Sequence, residues 1–277
     1  MSEKLKTREL VSFDGPCPYK CKHCYTFGLN EEDKKLSIND IVKSLEGKDF
    51  DVIYVSHNKE NFVNPAEGIE LCRELFNKYH KDMIAITRNV FNDEELEDFA
   101  RLNEEMNKTN KILCLAVSIP ALESIAITEG EGIIPSPQKR IDFLKRAKDK
   151  GLRTVLVIRP LFPDRIIPIE EPLRLIEECK DFVDCVLSSG LAVNDTILKQ
   201  LNMQENDFDY LDGDNSNYLI GAVGDAKYID VKDEIQQIKE KCNSLNVKVF
   251  DHSMEALKFF DHSMEVMNYL KKGNSEF

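Results

Sequence analysis

Residues 13–27 read FDGPCPYKCKHCYTF and place three cysteines within eight residues: Cys17, Cys21 and Cys24. The spacing is C-x3-C-x2-C. A loop this tight can supply three thiolates to three irons of a four-iron, four-sulfur cluster and leave the fourth iron open. The other five cysteines are scattered, whereas a disulfide framework would spread its spacings over the whole chain. The bunched cysteines therefore predict a metal site near the N-terminus.

A structural zinc site is the alternative that this spacing leaves open. Zinc would need a fourth Cys or His to complete its tetrahedron, and His23 is the local candidate. His23 comes immediately before Cys24, so its ring would have to bend back sharply to join the thiolates. A four-iron cluster with an open iron needs only the three thiolates, and the spacing therefore favours the cluster.

The composition is that of a soluble globular protein. The 277 residues, 42% of them hydrophobic and 31% charged, suffice for one large domain with a buried core. No apolar run approaches the roughly 20 residues of a membrane span. The start, MSEKLKTREL, is charged, unlike a secretory signal, so we expect a cytoplasmic protein without a membrane partner.

The charge balance restricts the classes of partner. A net charge of -13 argues against broad binding to nucleic acid or anionic membranes, which needs exposed basic surface. A local basic excess nevertheless surrounds the cysteines, because residues 1–25 contain Lys4, Lys6, Arg8, Lys20 and Lys22.

Apolar runs alternate with amphipathic segments from residue 8 to about 250. Runs such as DVIYVS, ILCLAVSI and TVLVI are apolar on both faces, as expected of parallel strands covered by helices. Six βα units in this order predict the α/β class and a partial (β/α)6 TIM-type barrel of parallel strands. The predicted strands are 8–13, 50–56, 82–87, 111–118, 152–158 and 182–188, and the predicted helices are 37–46, 65–80, 92–106, 137–150, 170–180 and 230–245.

Two segments interrupt this pattern. Residues 201–217 lack periodicity, so within the core domain of 1–250 we expect them to form a surface insertion. Its aspartates miss the spacing of a calcium-binding EF-hand loop by one position. The C-terminal segment 251–277 is predicted to be a helical tail, in which FDHSME at 250–255 recurs at 260–265.

The cysteine loop resembles that of the radical S-adenosylmethionine (SAM) superfamily. The resemblance rests on the C-x3-C-x2-C spacing after the first strand, on His23 before the third cysteine and on Tyr25 after it. It implies that the open iron chelates the amino and carboxylate groups of SAM, with Tyr25 beside the adenine. An electron from the reduced cluster then cleaves SAM, and the resulting 5′-deoxyadenosyl radical abstracts hydrogen from a substrate that the sequence does not identify.

Polar residues at the predicted strand ends are candidate SAM contacts, because ligands of parallel barrels bind at the C-terminal ends of the strands. The second strand ends at Ser56-His57-Asn58, where many superfamily members have Gly-Gly-Glu. Ser56 and Asn58 are the best substitutes, because their oxygens can accept from an ammonium group. Arg159 is the candidate clamp for the SAM carboxylate or ribose, and Ser118 and Ser188 are expected to point toward the barrel mouth.

Further motifs resemble the spore photoproduct lyase-like branch of the superfamily. NFVNPAEG at 61–68 is similar to that branch's Asp-Pro-Tyr-Gln-Pro-x-Glu loop, with Asn61 in the place of the Asp and Phe62 in that of the first Pro. The short motifs ITR (86–88), SIP (118–120), PSPQKRI (135–141) and IRPLFP (158–163) add to the similarity.

The remaining candidates carry weaker signals. Cys114 has the strand parity of Ser118, so it is expected to line the barrel, and it is the weak candidate for a catalytic thiol. Buried free cysteines are usually small hydrophobic residues. Arg140 is expected to be solvated or to pack within its helix.

Three functions thus remain open. The first is a radical SAM enzyme acting on a small or otherwise compact substrate, with flavodoxin or ferredoxin as the reductant. The second is a photoproduct lyase-like nucleic-acid repair enzyme, against which the net charge weighs. The third is a non-catalytic iron–sulfur or zinc protein.

Overall fold

The computed structural model describes residues 7–13, 15–24, 36–129, 133–211 and 226–261. Strands and helices alternate along these ranges. No helix within them combines the length and apolar character needed to cross a bilayer. The strands are β1 (Arg8–Val11), β2 (Val52–Val55), β3 (Asp82–Thr87), β4 (Leu113–Ser118), β5 (Arg153–Leu161), β6 (Cys185–Gly190), β7 (Ala192–Val193), β8 (Lys227–Tyr228) and β9 (Lys248–Phe250). The helices are α1 (Ile38–Lys43), α2 (Pro65–Tyr79), α3 (Asp93–Lys108), α4 (Ile125–Thr128), α5 (Pro137–Asp149), α6 (Glu170–Cys179), α7 (Asp195–Gln200), α8 (Lys232–Ser244) and α9 (253–261).

Seven strands form one sheet in the order β1-β2-β3-β4-β5-β6-β9, and every neighbouring pair is parallel. The six predicted strands and six predicted helices all form. The parallel α/β architecture is therefore confirmed, with the sheet open between β1 and β9. The seventh strand, β9, was not predicted, because three residues are too few to show an alternating pattern.

The two faces of the sheet have separate hydrophobic cores, because side chains alternate along a strand. Helix-facing positions such as Ile53, Leu115 and Leu156 pack against the surrounding helices. The alternating positions, such as Tyr54, Cys114 and Val157, form the core of the inner face. This alternation determines which strand-end residues project toward the inside of the partial barrel.

Helix α9 packs against the inner face of the sheet. Met254, Leu257 and Phe260 are buried there against side chains from β2 to β6. The described part of the predicted helical tail is thus helical as expected, and it forms part of the core. The second copy of FDHSME, apart from residues 260 and 261, lies outside the described residues.

A third core cluster lies beyond the end of β6, around the antiparallel pair β7 and β8. Leu201 and Met203 are buried in it, and Tyr210 forms an isolated bridge with Ile229. The expected surface insertion at 201–217 therefore begins as a packed segment. Residues 212–217 lie outside the described residues.

Candidate functional site

The cysteine loop follows β1 and docks on helix α4. The backbone N–H of Lys22 donates to the Thr128 carbonyl at 2.9 Å, and Nζ of Lys22 donates to the Ala126 carbonyl at 3.0 Å. The N–H of Cys24 donates to the Cys21 carbonyl at 3.0 Å, which closes a turn between two of the cysteines. Short α4 was not predicted from the sequence, yet it holds the loop that contains the metal candidates.

The three thiols of this loop influence one another. Burial raises the pKa of Cys21 to about 12, and it also raises the pKa of Cys17. Cys24 adds to both shifts through its charge. All eight cysteines lie in the described ranges and are free thiols, as expected.

Three thiol donors on one loop fit a four-iron cluster that keeps one iron open. Among the described residues, no three His, Cys, Asp or Glu side chains converge closely enough to hold a metal ion as they stand. Holding a cluster would therefore draw the three thiols of the loop together.

His23 is buried, and both of its ring nitrogens have partners. Nδ1 lies 3.1 Å from the Thr128 carbonyl, and Nε2 lies 3.2 Å from Nη2 of Arg88. Burial, with the charge of Arg88, lowers the pKa of His23 to about 3, so the ring is neutral. Nδ1–H therefore donates a hydrogen bond to the Thr128 carbonyl, and Nε2 accepts one from the Arg88 guanidinium. His23 therefore supports the loop, and these bonds disfavour it as a fourth zinc ligand.

Arg88, directly after β3, joins the cysteine loop to the ends of the other strands. Its Nε donates to Glu129 at 2.9 Å, and its Nη2, which also faces His23, lies 3.4 Å from the Arg159 carbonyl. Its charge lowers the pKa of the Cys21 thiol, against the larger effect of burial. Arg88 belongs to the ITR motif, and no role was predicted for it, although it directly follows a strand.

Arg140 and Glu129 form a buried ion pair behind Arg88. Arg140 is 0% exposed and Glu129 is 3% exposed. Two parallel bonds of 3.0 and 2.7 Å join their side chains, and Nη1 of Arg140 also donates to the Ser118 carbonyl at 2.7 Å. Arg140 was expected to be solvated or to pack within its helix. It instead reaches the sheet, because Glu129 and a strand-end carbonyl satisfy its guanidinium there.

Glu60 is a second carboxylate that the sequence analysis missed. Oε1 accepts from the Phe62 N–H and from the Thr87 hydroxyl, both at 2.9 Å, and Oε2 accepts from the Arg88 N–H at 2.7 Å. Burial raises the pKa of Glu60, and the backbone N–H of Glu60 in turn lowers that of Cys17. The segment after β2 thus contacts both β3 and the cysteine loop.

Ser56 and Asn61 fasten the end of β2 to the end of β1. Ser56 has the left-handed φ of 67°, and its Oγ accepts from the Asn61 N–H at 2.9 Å. Oδ1 of Asn61 accepts from the Phe13 N–H at 3.0 Å, while its Nδ2 lies 3.4 Å from the Val11 carbonyl. Ser56 directly follows β2, where its left-handed backbone ends the alternation of the strand, and its hydroxyl is held against the following loop by Asn61.

Gly68 allows the same segment to pack tightly against α2. A Cβ at this position would lie 2.4 Å from a Phe62 ring carbon and 2.9 Å from the Asn61 carbonyl oxygen. The last residue of the NFVNPAEG motif therefore lets Asn61 approach the helix closely.

The remaining predicted SAM contacts do not all lie on the inner face of the sheet. Ser118 faces inward, with Oγ 3.5 Å from the Arg159 carbonyl. Ser188 pairs with Ile158, whose side chain packs among the helices, so Ser188 projects to the outer face and not toward the mouth as expected. Asn58 follows β2 and is partly buried, while Tyr25 lies outside the described residues.

The Arg159 side chain reaches the C-terminal segment. Its Nη2 donates to the Asp251 carbonyl at 2.5 Å, and its Nε is buried without a partner in the described part of the chain. Cys114 lines the inner face, as its parity predicted, but it is buried among apolar side chains, and burial raises its pKa well above 9.0. That environment is typical of a structural thiol.

Solved structures with this arrangement of strands were found, although no family model and no curated protein matches the sequence. A spore photoproduct lyase variant with bound AdoMet and dinucleoside spore photoproduct superposes with a TM-score of 0.59 and 13% identity, over 90% of this chain and 79% of that one. SuiB from Streptococcus suis, bound to S-adenosylmethionine, gives 0.60 and 11%, over 89% of this chain and 50% of SuiB.

A radical SAM methyltransferase from Sphaerobacter thermophilus gives a TM-score of 0.58 and 14% identity, over 88% of this chain and 65% of that one. Identities this low establish the fold alone. The chain therefore has the fold of the radical SAM enzymes, and spore photoproduct lyase is among the proteins that it resembles.

Proposed function

We propose that this protein is a radical SAM enzyme. In this proposal Cys17, Cys21 and Cys24 hold a 4Fe-4S cluster. Bound there and reduced, such a cluster would supply the electron for cleaving SAM into methionine and a 5′-deoxyadenosyl radical. The observation that carries the proposal is the position of the three-thiol loop at the C-terminal edge of a parallel sheet whose fold includes SAM-bound structures.

The chain's own residues would hold and shield this site. Lys22 and His23 fix the loop on α4, and Arg88 brings a positive charge toward the thiols, which favours their ionised, ligating form. Helix α9 fills the inner face below the strand ends, which excludes water from the floor of the site.

Polar groups at the strand ends are candidates for binding SAM. Ser118 projects into the barrel, Ser56 directly follows β2, and Asn58 follows Ser56 by two residues. The Ser56 hydroxyl oxygen accepts from Asn61, so its proton is free to be donated to a SAM oxygen. We keep these three residues as the proposed SAM contacts, with Tyr25 beside the adenine on the strength of the family resemblance.

A flavodoxin or ferredoxin is the proposed reductant, in the cytoplasm. Lys20 is exposed on the cysteine loop, and Ile127 is 40% exposed on α4, the helix that the loop contacts, so both are candidates for docking an acidic carrier. Lys22 is partly occupied by its bond to Ala126. Lys20→Glu should therefore slow cluster reduction at low salt, and an unchanged rate would count against this docking site.

Anaerobic reconstitution tests the enzyme proposal. Iron, sulfide, SAM and dithionite should yield 5′-deoxyadenosine from the wild-type protein, and Cys24→Ala should abolish it. Cys242→Ala, which removes a buried thiol from α8, is the matched control and should retain the product. Persistence of 5′-deoxyadenosine in Cys24→Ala would refute the proposed cluster site. Iron binding without product in the wild type would favour a non-catalytic protein.

A further inference from the structure

Two arginines meet inside the partial barrel at the start of the C-terminal segment. Arg8 opens β1 and alternates with the inner-face residue Leu10, and Arg159 alternates with inner-face Val157. Nη1 of Arg8 lies 3.2 Å from Oγ of Ser253. Since Arg159 bonds to the carbonyl of Asp251, the two guanidinium groups contact residues that are only two apart.

Neither arginine pairs with a carboxylate among the described residues. Arg8 has Ser253 and the face of the Tyr54 ring, 5.5 Å away, as its contacts. Arg159 has one carbonyl for its Nη2, and its Nε has no partner within the described ranges. The Asp251 carboxylate offsets the charge of Arg159 only in part, because its Oδ2 pairs with Lys239 at 3.0 Å.

His252 lies between the two contacts and adds a third donor. Its Nδ1 accepts from the Met254 N–H at 3.2 Å, so the proton of the neutral ring is on Nε2. Burial, followed by the charges of Arg8 and Arg159, lowers the pKa of His252 to about 4, which keeps the ring neutral at pH 7. Arg8, Arg159 and His252 are each partly exposed, although Nε of Arg159 itself is buried.

Such a cluster is energetically costly without a counter-charge. Partly desolvated guanidinium groups that lack an acidic partner are destabilising, and a buried donor without an acceptor calls for a partner that the described chain does not supply. The positive charge of this cluster contrasts with the rest of the protein, because the chain as a whole carries a net charge of -13. Arg8, Arg159 and His252 would offer three donors to a small anion inside the barrel, where a bulky polyanion would not fit.

The cluster lies next to the proposed SAM site. The carbonyl of Arg159 is contacted by Arg88, which reaches the cysteine loop, and by Ser118. We propose that Arg8, Arg159 and His252 form an anion subsite that binds the carboxylate or phosphate of a small substrate. The subsite would orient that substrate inside the barrel, beside the strand ends that face the cysteine loop. Its role as a substrate subsite rests on the proposed function, whereas its ability to bind an anion does not.

Inorganic phosphate is the probe for this subsite, and the protein without added SAM is sufficient. Thermal unfolding, followed while phosphate is raised at constant ionic strength, should show a saturable stabilisation. Arg159→Gln and Arg8→Gln should each weaken phosphate binding at least tenfold. Arg146→Gln is the control, because Arg146 lies away from the barrel interior and pairs with Asp93. It should bind phosphate like the wild type.

A SAM titration of the reconstituted variants shows whether the anion bound by the arginines belongs to the substrate or is the carboxylate of SAM. If the arginines serve the substrate, both variants retain SAM binding within a few-fold. The proposal would be overturned if either arginine variant lost SAM binding while its phosphate binding was unchanged. It would also be overturned if the wild type did not bind phosphate, or if the wild type and all variants bound phosphate equally. If Arg159→Gln does not fold, Arg8→Gln alone decides the matter.

Phosphate binding and SAM cleavage can fail separately. A wild-type protein that binds phosphate through these arginines but forms no 5′-deoxyadenosine would refute the enzyme proposal and leave the anion site standing as a binding site. A wild-type protein that forms 5′-deoxyadenosine but does not bind phosphate would refute the anion site and leave the enzyme proposal intact.

Discussion

Oε1 of Glu129 accepts hydrogen bonds from Nε of Arg88 at 2.9 Å and from Nη1 of Arg140 at 3.0 Å. One buried carboxylate therefore links an arginine that contacts the cysteine loop with an arginine that is inaccessible to solvent. The shared carboxylate connects the stability of the fold to the geometry of the candidate site, and both can be measured.

Removing the charge of Glu129 should destabilise the protein strongly. Glu129→Gln leaves Arg140 buried without its counter-charge, and breaking a buried pair typically costs about 3–5 kcal/mol. Glu123→Gln is the matched control, since Glu123 pairs with Arg174 at the surface, where such pairs contribute about 0–1 kcal/mol. Urea unfolding measures both variants, and equal losses would contradict the role of the buried pair.

The charge of Arg88 should raise the reduction potential of the proposed cluster. Reduction adds negative charge, which a nearby cation stabilises, so Arg88→Met should lower the midpoint potential by on the order of tens of millivolts. Arg88→Lys keeps the charge and should recover most of the shift. Potentiometric titration followed by EPR measures the effect, with exposed Arg101→Met as the control. A midpoint potential that is the same in Arg88→Met and the wild type would refute this role.

Cys114 should be dispensable for SAM cleavage. Its thiol is buried among the apolar side chains of the inner face. Cys114→Ala should lose about 1–2 kcal/mol of stability through a small cavity. The same variant should form 5′-deoxyadenosine at the wild-type rate per bound cluster. A loss of that product beyond the loss of bound iron would restore a catalytic role for this thiol.

Replacing Asn61 by aspartate, the residue found at this place in the similar spore photoproduct lyase-like motif, should destabilise the protein. The Asn61 amide lies 3.4 Å from the Val11 carbonyl as a donor, whereas an aspartate would place a second acceptor there. Asn61→Asp should cost about 1–3 kcal/mol, measured by urea unfolding. Asn64→Asp, at the exposed N-cap of α2, should cost little, because an acidic residue suits that position. A fully stable Asn61→Asp would show that the amide donor is unimportant.

Docking of the C-terminal segment should weaken in acid because of His252. Its folded pKa of about 4 lies below the ordinary value of 6.5, so the undocked segment binds a proton that the folded protein excludes. The contribution of neutral His252 to the free energy of unfolding is therefore fully present above about pH 6.5 and is lost as the pH falls toward 4. The groups that face His252 are Arg8, Arg159 and its own helix residue Glu255.

Urea unfolding at pH 7 and pH 5.5 measures this effect. His252→Asn should remove part of the difference between the two pH values, since asparagine can accept from Met254 but does not titrate. His80→Asn, at the exposed left-handed C-cap of α2, should leave the difference unchanged. An equal pH dependence in His252→Asn and the wild type would exclude His252 as its source.

Much of the architecture could be predicted because its signals are local. Strands apolar on both faces and intervening amphipathic helices specify a parallel sheet without any knowledge of distant contacts. The same holds for the cysteine triplet, whose ligands lie within eight residues. Elements such as α4 and β9 could not be found this way, because their few residues carry no periodicity and are stabilised by tertiary contacts.

The sequence by itself determined the order of the βα units, the three thiols and the parity that places Ser118 and Cys114 on the inner face. Tertiary structure alone decided which charges meet there. Arg140 lies 11 residues from Glu129 in the chain, Arg88 lies 41 from it, and Arg8 lies 245 from Ser253. A guanidinium is stabilised by whichever acceptor the fold brings within about 3 Å, and that distance depends on strand order and helix packing, which no local pattern encodes.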